Sequence, residues 1–302
     1  MDDGTLPIID CHQHFYDAGR LRYPVFEQRS AGFEALVGDY SAMPRVYRPE
    51  DYARDTAGFN VVKTVWAEFI SDDPVAEVQS AGELARASGR PNGLIGRVDF
   101  RSPDLEHTLD AYASAGPIRC IRQHLAWHPT NPLLCYAPAP DLLSDAAWRR
   151  GVVALRGRGL ACEIEIFAHQ LPEFADVAAA CPDIQFILPV MGWPLDLTND
   201  GRSIWKRDLA GVAAQPNVAL KIFGLECIFG LYWTVAQVRP WILDAIDVFS
   251  PHRCMFASHM PICTLACTFQ QLYRAYLEVI GGCSPSEQRQ LLGETAASVY
   301  RL

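Results

Sequence analysis

The chain of 302 residues is half apolar and one-fifth charged, a composition typical of a folded globular protein. Asp and Glu outnumber Lys and Arg by 35 to 26, giving a formal charge of −9. Without a long basic run, this charge argues against a nucleic-acid partner. No apolar run reaches the length of a membrane helix, and the N-terminus MDDGTLP is acidic. We therefore expect a cytoplasmic protein that does not enter a membrane.

Ten cysteines are present, several of them inside apolar runs such as LACEIEIF at 160–167 and RCMFAS at 253–258. No C-x-x-C pair typical of a structural zinc module occurs. The cysteines are therefore predicted to be free, mostly buried side chains in a reducing compartment.

Eight short apolar runs rich in Val, Ile and Phe predict strands that are covered on both faces. They are 7–11, 61–68, 94–100, 118–125, 160–167, 184–190, 218–224 and 253–258. Segments with a helical period lie between most of them, at 73–89, 104–116, 145–159, 171–182 and 238–249.

The alternation of strands and helices, repeated about eight times over this length, predicts an α/β protein with one (β/α)8 barrel domain over residues 1–302. An open dinucleotide-binding sheet would need G-x-G-x-x-G after an early strand, and the sequence has none. The long segment 15–60, rich in aromatic, Pro and Gly residues, is predicted to be a loop over the face that carries the active site.

The first predicted strand ends in the sequence PIIDCHQH, with histidines at 12 and 14. Side chains at i and i+2 of a strand point to the same side, so His12 and His14 are expected to face one way at the mouth of the barrel. Two neutral imidazoles there can hold one metal ion, or can position and protonate a substrate.

Here the sequence resembles the amidohydrolase superfamily, in particular its branch of sugar-lactone and dicarboxylate-lactone hydrolases. Members begin with a pattern similar to D-x-H-x-H-F-W-D, matched by Asp10, His12, His14, Phe15, Tyr16 and Asp17. IRCIRQHL at 118–125 is similar to the fourth strand of the family, QPNVALKIFGLE at 215–226 to the seventh, and HRCMFASHMPI at 252–262 to the eighth.

The resemblance implies a (β/α)8 barrel that hydrolyses an ester, usually a lactone, of a small molecule. In the family, a carboxylate after strand eight is the base and a histidine after strand six assists. Some members use a divalent metal held by the H-x-H pair, zinc being the most expected ion, and some relatives work without one. The resemblance leaves open whether the chain assembles as a homo-oligomer.

Two positions depart from the family pattern. Val190 stands where the strand-six histidine is expected, and valine can neither bind a metal nor move a proton. His259, in ASHMP, replaces the strand-eight carboxylate.

These departures leave three interpretations open. His259 replaces the carboxylate as general base; or His12, His14 and His259 form a three-histidine metal site with an open position for water; or the barrel has lost hydrolysis and isomerises, decarboxylates or only binds a small molecule. We favour a retained hydrolase with His259, His14 and His12 as catalytic residues, because His259 keeps proton chemistry at this position.

Other residues are candidates for substrate binding. Arg122 and Lys221 are expected to hold a substrate carboxylate or a developing oxyanion, and structural ion pairs are the alternative. Glu165, on strand five, is expected either to line the site or to pair with Arg122. His169 and Trp193, after strands five and six, are expected near the pocket, whereas His124 is interpreted as a loop histidine.

Overall fold

The computed structural model describes residues 6–302, so the acidic residues 1–5 lie outside it. Eight parallel strands form one sheet in which every strand pairs with the next along the chain. They are β1 (Ile8–Gln13), β2 (Val61–Ala67), β3 (Gly93–Arg97), β4 (Ile118–His124), β5 (Ala161–Glu165), β6 (Phe186–Leu188), β7 (Val218–Ile222) and β8 (Cys254–Phe256). Each of the eight predicted apolar runs contains one strand or most of it, and the predicted (β/α)8 barrel is confirmed.

Residues that follow β1 and β8 close the barrel. The backbone N–H of His14 donates to the carbonyl of Met260 at 2.8 Å, and that of His259 donates to the carbonyl of His12 at 2.8 Å. These bonds bring the end of the first strand against the end of the last, where active sites of this architecture lie.

Thirteen α-helices surround the strands in the described part of the chain. They are α1 (Pro24–Glu27), α2 (Ala31–Val37), α3 (Pro49–Asp55), α4 (Pro74–Ser88), α5 (Leu105–Ala115), α6 (Ala146–Val153), α7 (Leu171–Ala180), α8 (Asn199–Ala213), α9 (Leu225–Phe229), α10 (Val235–Phe249), α11 (Phe269–Val279), α12 (Pro285–Arg289) and α13 (Thr295–Tyr300). Within residues 6–302, no helix is long and apolar enough to cross a membrane.

The segment 15–60 is more ordered than the predicted loop. It contains α1, α2 and α3, together with a small antiparallel ribbon of Tyr16–Asp17 with Val46–Tyr47. Helix α2 begins at a Ser30 cap, whose side chain accepts a bond from the backbone N–H of Phe33 at 3.2 Å. This segment covers the mouth of the barrel.

All ten cysteines lie within the described residues and are free. Six of them are buried, which agrees with the prediction that they serve as small core side chains.

Candidate active site

Three histidines meet at the mouth of the barrel. The ring centroids of His12 and His14 are 4.9 Å apart, and that of His259 lies 5.4 Å from His12 and 5.5 Å from His14. One ring nitrogen of each lies within 4.8 Å of the other two. The predicted proximity of these three residues is therefore confirmed.

A buried carboxylate ties the two ends of the barrel together beneath the histidines. Asp10 accepts hydrogen bonds from the backbone N–H of Ser258 at 2.8 Å, from the Ser258 hydroxyl at 2.6 Å and from the Tyr52 hydroxyl at 2.7 Å. The next residue, His259, has a φ of 63°, a conformation uncommon outside glycine that persists only where the surroundings hold it. Asp10 thus fixes the position from which His259 reaches the site.

Two of the rings are oriented through their Nδ1 atoms. His14 Nδ1 lies 2.9 Å from the carbonyl oxygen of Ala67, which only accepts, so Nδ1 carries the proton and Nε2 has the free lone pair. His259 Nδ1 lies 2.6 Å from a carboxylate oxygen of Glu226, which fixes its ring in the same tautomer when neutral.

The third ring has two neighbours at Nδ1. His12 Nδ1 is 3.4 Å from Lys221 Nζ and 3.9 Å from Glu163 Oε1. This carboxylate oxygen and the Nε2 atoms of His12 and His14 are buried and have no hydrogen-bond partner among residues 6–302. The Lys221 ammonium only donates and the Glu163 carboxylate only accepts, so these two neighbours favour opposite tautomers of His12.

Both N-terminal histidines are held neutral. Burial lowers the pKa of His12 well below its usual value, and the charge of Lys221 lowers it further. Burial likewise lowers the pKa of His14, together with the charges of His259 and Arg122. Neutral imidazoles keep their lone pairs free at neutral pH, as a metal ligand or a proton acceptor requires.

This neutral state is expected to make folding pH dependent. The unfolded chain protonates these histidines below a pKa of about 6.5, whereas the folded chain does not, so acid favours unfolding. We expect the free energy of unfolding to be retained above about pH 6.5 and to fall below it. Urea unfolding of the chelator-treated protein at about pH 7.5 and about pH 5.5 measures how much free energy of unfolding is lost on acidification. This loss should be smaller in His14→Gln than in the wild type. If the wild type and His14→Gln lost the same free energy of unfolding, the pH dependence would not originate from His14.

A network of buried charges lies beside the histidines. The register of β4 and β5 pairs Arg122 with Glu163 and His124 with Glu165. The Arg122 guanidinium donates to Glu165, lies 3.3 Å from Glu163 and 3.6 Å from Glu68. Arg122 is thus engaged by three carboxylates, and the predicted pairing of Arg122 with Glu165 is present.

His124 bridges two of these carboxylates, which the loop interpretation did not anticipate. Its Nδ1 is 3.1 Å from Glu165 and its Nε2 is 2.8 Å from Glu68. Burial and Arg122 lower the pKa of His124, but the two carboxylates outweigh them and raise it above its usual value. With both nitrogens facing carboxylates, the ring acts as a cation of the network.

A cavity lies above the histidines and this network. His14, His259, Arg122, Glu165 and Trp193 line it, as predicted for a site at the barrel mouth. Helix α2 forms part of its roof, so segment 15–60 supplies a pocket wall as expected.

Two of the predicted substrate-binding residues lie elsewhere. Lys221 is fully buried in β7, below His12, where its ammonium group donates to Glu163. It points into the barrel interior, because the alternation along β7 assigns it to that face. His169 lies in a short turn that begins α7 and lines a separate surface depression with Pro194 and Asp196. Neither position suits a direct contact with a substrate in the main cavity.

The residues present fit a divalent metal ion. Three imidazole nitrogens, two of them buried and without a partner among residues 6–302, converge within 4.8 Å. The rings of His14 and His259 are oriented by a backbone carbonyl and by a carboxylate, the usual outer partners of zinc-binding histidines. Three histidines with an open fourth position are a known ligand set for catalytic zinc.

Comparison with known proteins agrees with this architecture. The family model described as Amidohydrolase matches residues 9–302. The chain belongs to the amidohydrolase family. It is therefore a hydrolase-family enzyme, and the resemblance inferred from its motifs is confirmed.

Relatives extend along the full chain. An uncharacterized protein, y4mH of Sinorhizobium fredii, is 32% identical over 300 residues, with 98% of this chain and 99% of the relative covered. An L-fucono-1,5-lactonase of Burkholderia multivorans is 27% identical over 306 residues, with 97% of this chain and 96% of the relative covered. An amidohydrolase of Burkholderia multivorans, solved with bound zinc, has a TM-score of 0.82 at 23% identity, covering 98% of this chain and 99% of that one. This structural likeness shows the fold.

In this amidohydrolase, Val190 lines the cavity where the family pattern has a histidine. The residues from Val190 to Trp193 all have positive φ angles, so the backbone turns sharply after β6. A valine in this conformation is unusual, since its branched side chain clashes with the backbone there. The turn presents an apolar surface to the site where other members are expected to present an imidazole.

Glu226 is the residue that motif comparison missed. It lies in α9, directly after β7, is buried, and holds His259 through a 2.6 Å bond. The available signal was a single acidic residue in the apolar run IFGLECIFG, close behind a predicted strand. The pair of His259 with Glu226 replaces the single carboxylate of the family pattern.

Removing the charge of Glu226 is expected to weaken the site without unfolding the protein. A carboxylate behind a ligating histidine raises its basicity, and losing such a partner typically costs about 10–100-fold in metal affinity or activity. We expect Glu226→Gln to lower zinc affinity and kcat/KM by this factor, measured by competition with a chromogenic chelator and by lactone hydrolysis. Glu173→Gln, at an exposed position of α7, is the matched control. Wild-type zinc affinity in Glu226→Gln would contradict this role.

Proposed function

We propose that the protein hydrolyses the ester bond of a small lactone at the site formed by His12, His14 and His259. The observation that carries the proposal is the convergence of three imidazole nitrogens, two of them buried and unpartnered among residues 6–302, beside a cavity at the mouth of the barrel. The kinship with an L-fucono-1,5-lactonase supports an ester rather than an amide as the bond that is cleaved.

We further propose that His12, His14 and His259 hold one divalent metal, with zinc as the expected ion. Bound there, a metal polarises a carbonyl and lowers the pKa of water, which supplies a nucleophile at neutral pH. The Ala67 carbonyl and Glu226 keep the rings of His14 and His259 pointed at the centre.

Without a bound metal, the proton movements fall to His259, with Glu226 behind it. Glu226 fixes the orientation and tautomer of the imidazole and pairs with it when it carries a proton, as the carboxylate of a catalytic triad does. In a metal-free form of the enzyme, His259 Nε2 takes a proton from water as the water oxygen bonds to the lactone carbonyl carbon. When the ring C–O bond breaks, this proton returns to the departing oxygen, and the product is a hydroxy acid.

Arg122, Glu165 and Trp193 are proposed to shape the substrate cavity. Arg122, His124 and Lys221 pair with the carboxylates of Glu68, Glu163 and Glu165, so this network holds its geometry as substrate enters. The ten free cysteines support a reducing compartment, and we propose the cytoplasm.

A lactone screen before and after chelation tests the proposal. We expect hydrolysis of at least one lactone, its loss on removal of the metal, and its return when zinc is added. Stoichiometric metal without turnover of any lactone would contradict lactone hydrolysis and favour a non-hydrolytic barrel, for which Val190 is the motivating residue. Turnover that survives complete metal removal would instead favour the metal-free mechanism of His259.

A further inference from the structure

The cavity has a polar floor and an apolar roof. Its floor is formed by His14 and His259 with the charged residues Glu68, Arg122, His124 and Glu165. Phe33, Leu36 and Val37 from α2, with Phe69 and Ile70 after β2, form most of its roof, and Phe223 and Trp193 extend it on the other side. A substrate bound at the histidines therefore projects its ring substituents against hydrocarbon.

Polar groups of the floor are already paired within the protein. Both nitrogens of His124 face carboxylates, and the carboxylate of Glu165 is shared by His124 and Arg122. Glu68 accepts from His124 and also from the backbone N–H of Ile70 at 2.7 Å. Few of these groups can bond a substrate hydroxyl without losing a partner of their own.

The one roof residue with a hydroxyl is similarly engaged. The Tyr136 hydroxyl donates to the carbonyl of Gly32 at 2.8 Å, which fastens α2 to the loop after β4. A hydroxyl group of the substrate that enters between the α2 side chains Phe33, Leu36 and Val37 gives up its bonds to water and meets only hydrocarbon, which is unfavourable.

The charges of this network are paired with one another. Arg122, His124 and Lys221, together with Arg97 at 3.5 Å from Glu68, face the carboxylates of Glu68, Glu163 and Glu165. Arg122 faces all three carboxylates. It thus carries no uncompensated charge toward a carboxylate of the substrate.

We infer that the substrate is a small lactone whose ring bears apolar substituents rather than the hydroxyls of a sugar or a free carboxylate. This inference rests on the proposed function and names its substrate class. The cavity measures about 60 Å³, below the usual size of a ligand site, so a small substrate with a short substituent is favoured.

Two lactones with the same six-membered ring test the inference. δ-Hexalactone carries one methyl group, and D-glucono-1,5-lactone carries three hydroxyls and a hydroxymethyl group. We expect kcat/KM to favour δ-hexalactone by at least about 100-fold, after correction for spontaneous hydrolysis. Equal or better turnover of the gluconolactone, or of a ring bearing carboxylates, would overturn the inference and leave lactone hydrolysis intact.

Binding of the corresponding lactams gives a result that does not depend on turnover. These analogues are not readily hydrolysed, and calorimetry on the zinc-loaded protein is expected to detect the methyl-substituted lactam and not the hydroxylated one. Tighter binding of the hydroxylated lactam would overturn the inference even if no lactone is hydrolysed. If no lactone is hydrolysed yet the methyl lactam binds, the proposed function fails and the apolar specificity of the cavity stands.

A substitution in α2 tests whether the apolar roof causes the preference for δ-hexalactone over gluconolactone. Leu36→Asn places an amide in the roof, and we expect kcat/KM for δ-hexalactone to fall by about 10-fold without a matching loss for gluconolactone. Leu243→Asn, the same change at an exposed position of helix α10, is the control. An equal loss for both lactones in Leu36→Asn would assign Leu36 a structural role and remove the roof as the source of specificity.

Discussion

Replacing His259 with alanine is expected to lower kcat/KM for lactone hydrolysis by about 10²–10⁴-fold, because the variant loses a ligand of the proposed metal or, in a metal-free enzyme, the group that moves protons. One ring nitrogen of this side chain lies within 4.8 Å of a ring nitrogen of His12 and of His14, and Glu226 holds its Nδ1. Zinc content of the purified variant should fall as well, because three ligands become two.

The control is His252→Ala, which removes an exposed histidine near the start of β8. It is expected to keep wild-type turnover and zinc. Unchanged turnover in His259→Ala would end the assignment of His259 to the chemistry, whatever the metal content.

Replacing Lys221 with methionine is expected to destabilise the fold by about 3 kcal/mol, the lower end of the cost of breaking a buried ion pair. Lys221 and Glu163 are both fully buried, and the change leaves the Glu163 carboxylate without its ammonium partner. Arg122 remains 3.3 Å from Glu163, which limits the loss. Urea unfolding at neutral pH measures the difference in the free energy of unfolding.

Lys206→Met provides the matched control. Lys206 pairs with Asp244 at 2.7 Å and with Asp247 at 3.1 Å at a partly exposed position, where ion pairs contribute about 1 kcal/mol or less. A stable Lys221→Met protein with a raised KM would show that Lys221 acts on the substrate and would contradict its structural role.

The fold could be read from the sequence because buried parallel strands leave a strong local pattern. Each run was short, apolar and rich in branched residues, and the eight strands fall within or close to these runs. Helices α8 and α11 were harder to predict, although Trp205, Leu209 and Val212 of α8 form a buried stripe. Polar residues separate them in NDGRSIWKRDLAGVA, so the helical period of the apolar residues is hard to recognise in the sequence.

The histidines of the site were predictable for a simpler reason. His12 and His14 follow from the two-residue period of a strand, and His259 follows from its place after the last strand. Their partners depend on packing that the sequence does not display. His124 meets Glu165 through the register of β4 and β5, and Glu226 meets His259 through the path of the chain after β7.

Lys221 and His169 show the reverse difficulty. Each lies near the end of a strand in the sequence, yet only the three-dimensional direction of the chain decides which residues reach the cavity. Lys221 faces the interior one layer below the mouth, and the turn that begins α7 carries His169 to the outside.

X-ray absorption at the zinc edge of the purified enzyme tests the central claim most directly. If His12, His14 and His259 form the chemical centre, one zinc per chain should show three imidazole nitrogens at about 2.0–2.1 Å and no sulfur ligand. The neighbouring group of Glu226, Cys227 and His259 also brings its ligand atoms within 4.8 Å of one another, and it would give a sulfur shell at about 2.3 Å. A sulfur shell, or fewer than three imidazoles, would contradict the three-histidine centre.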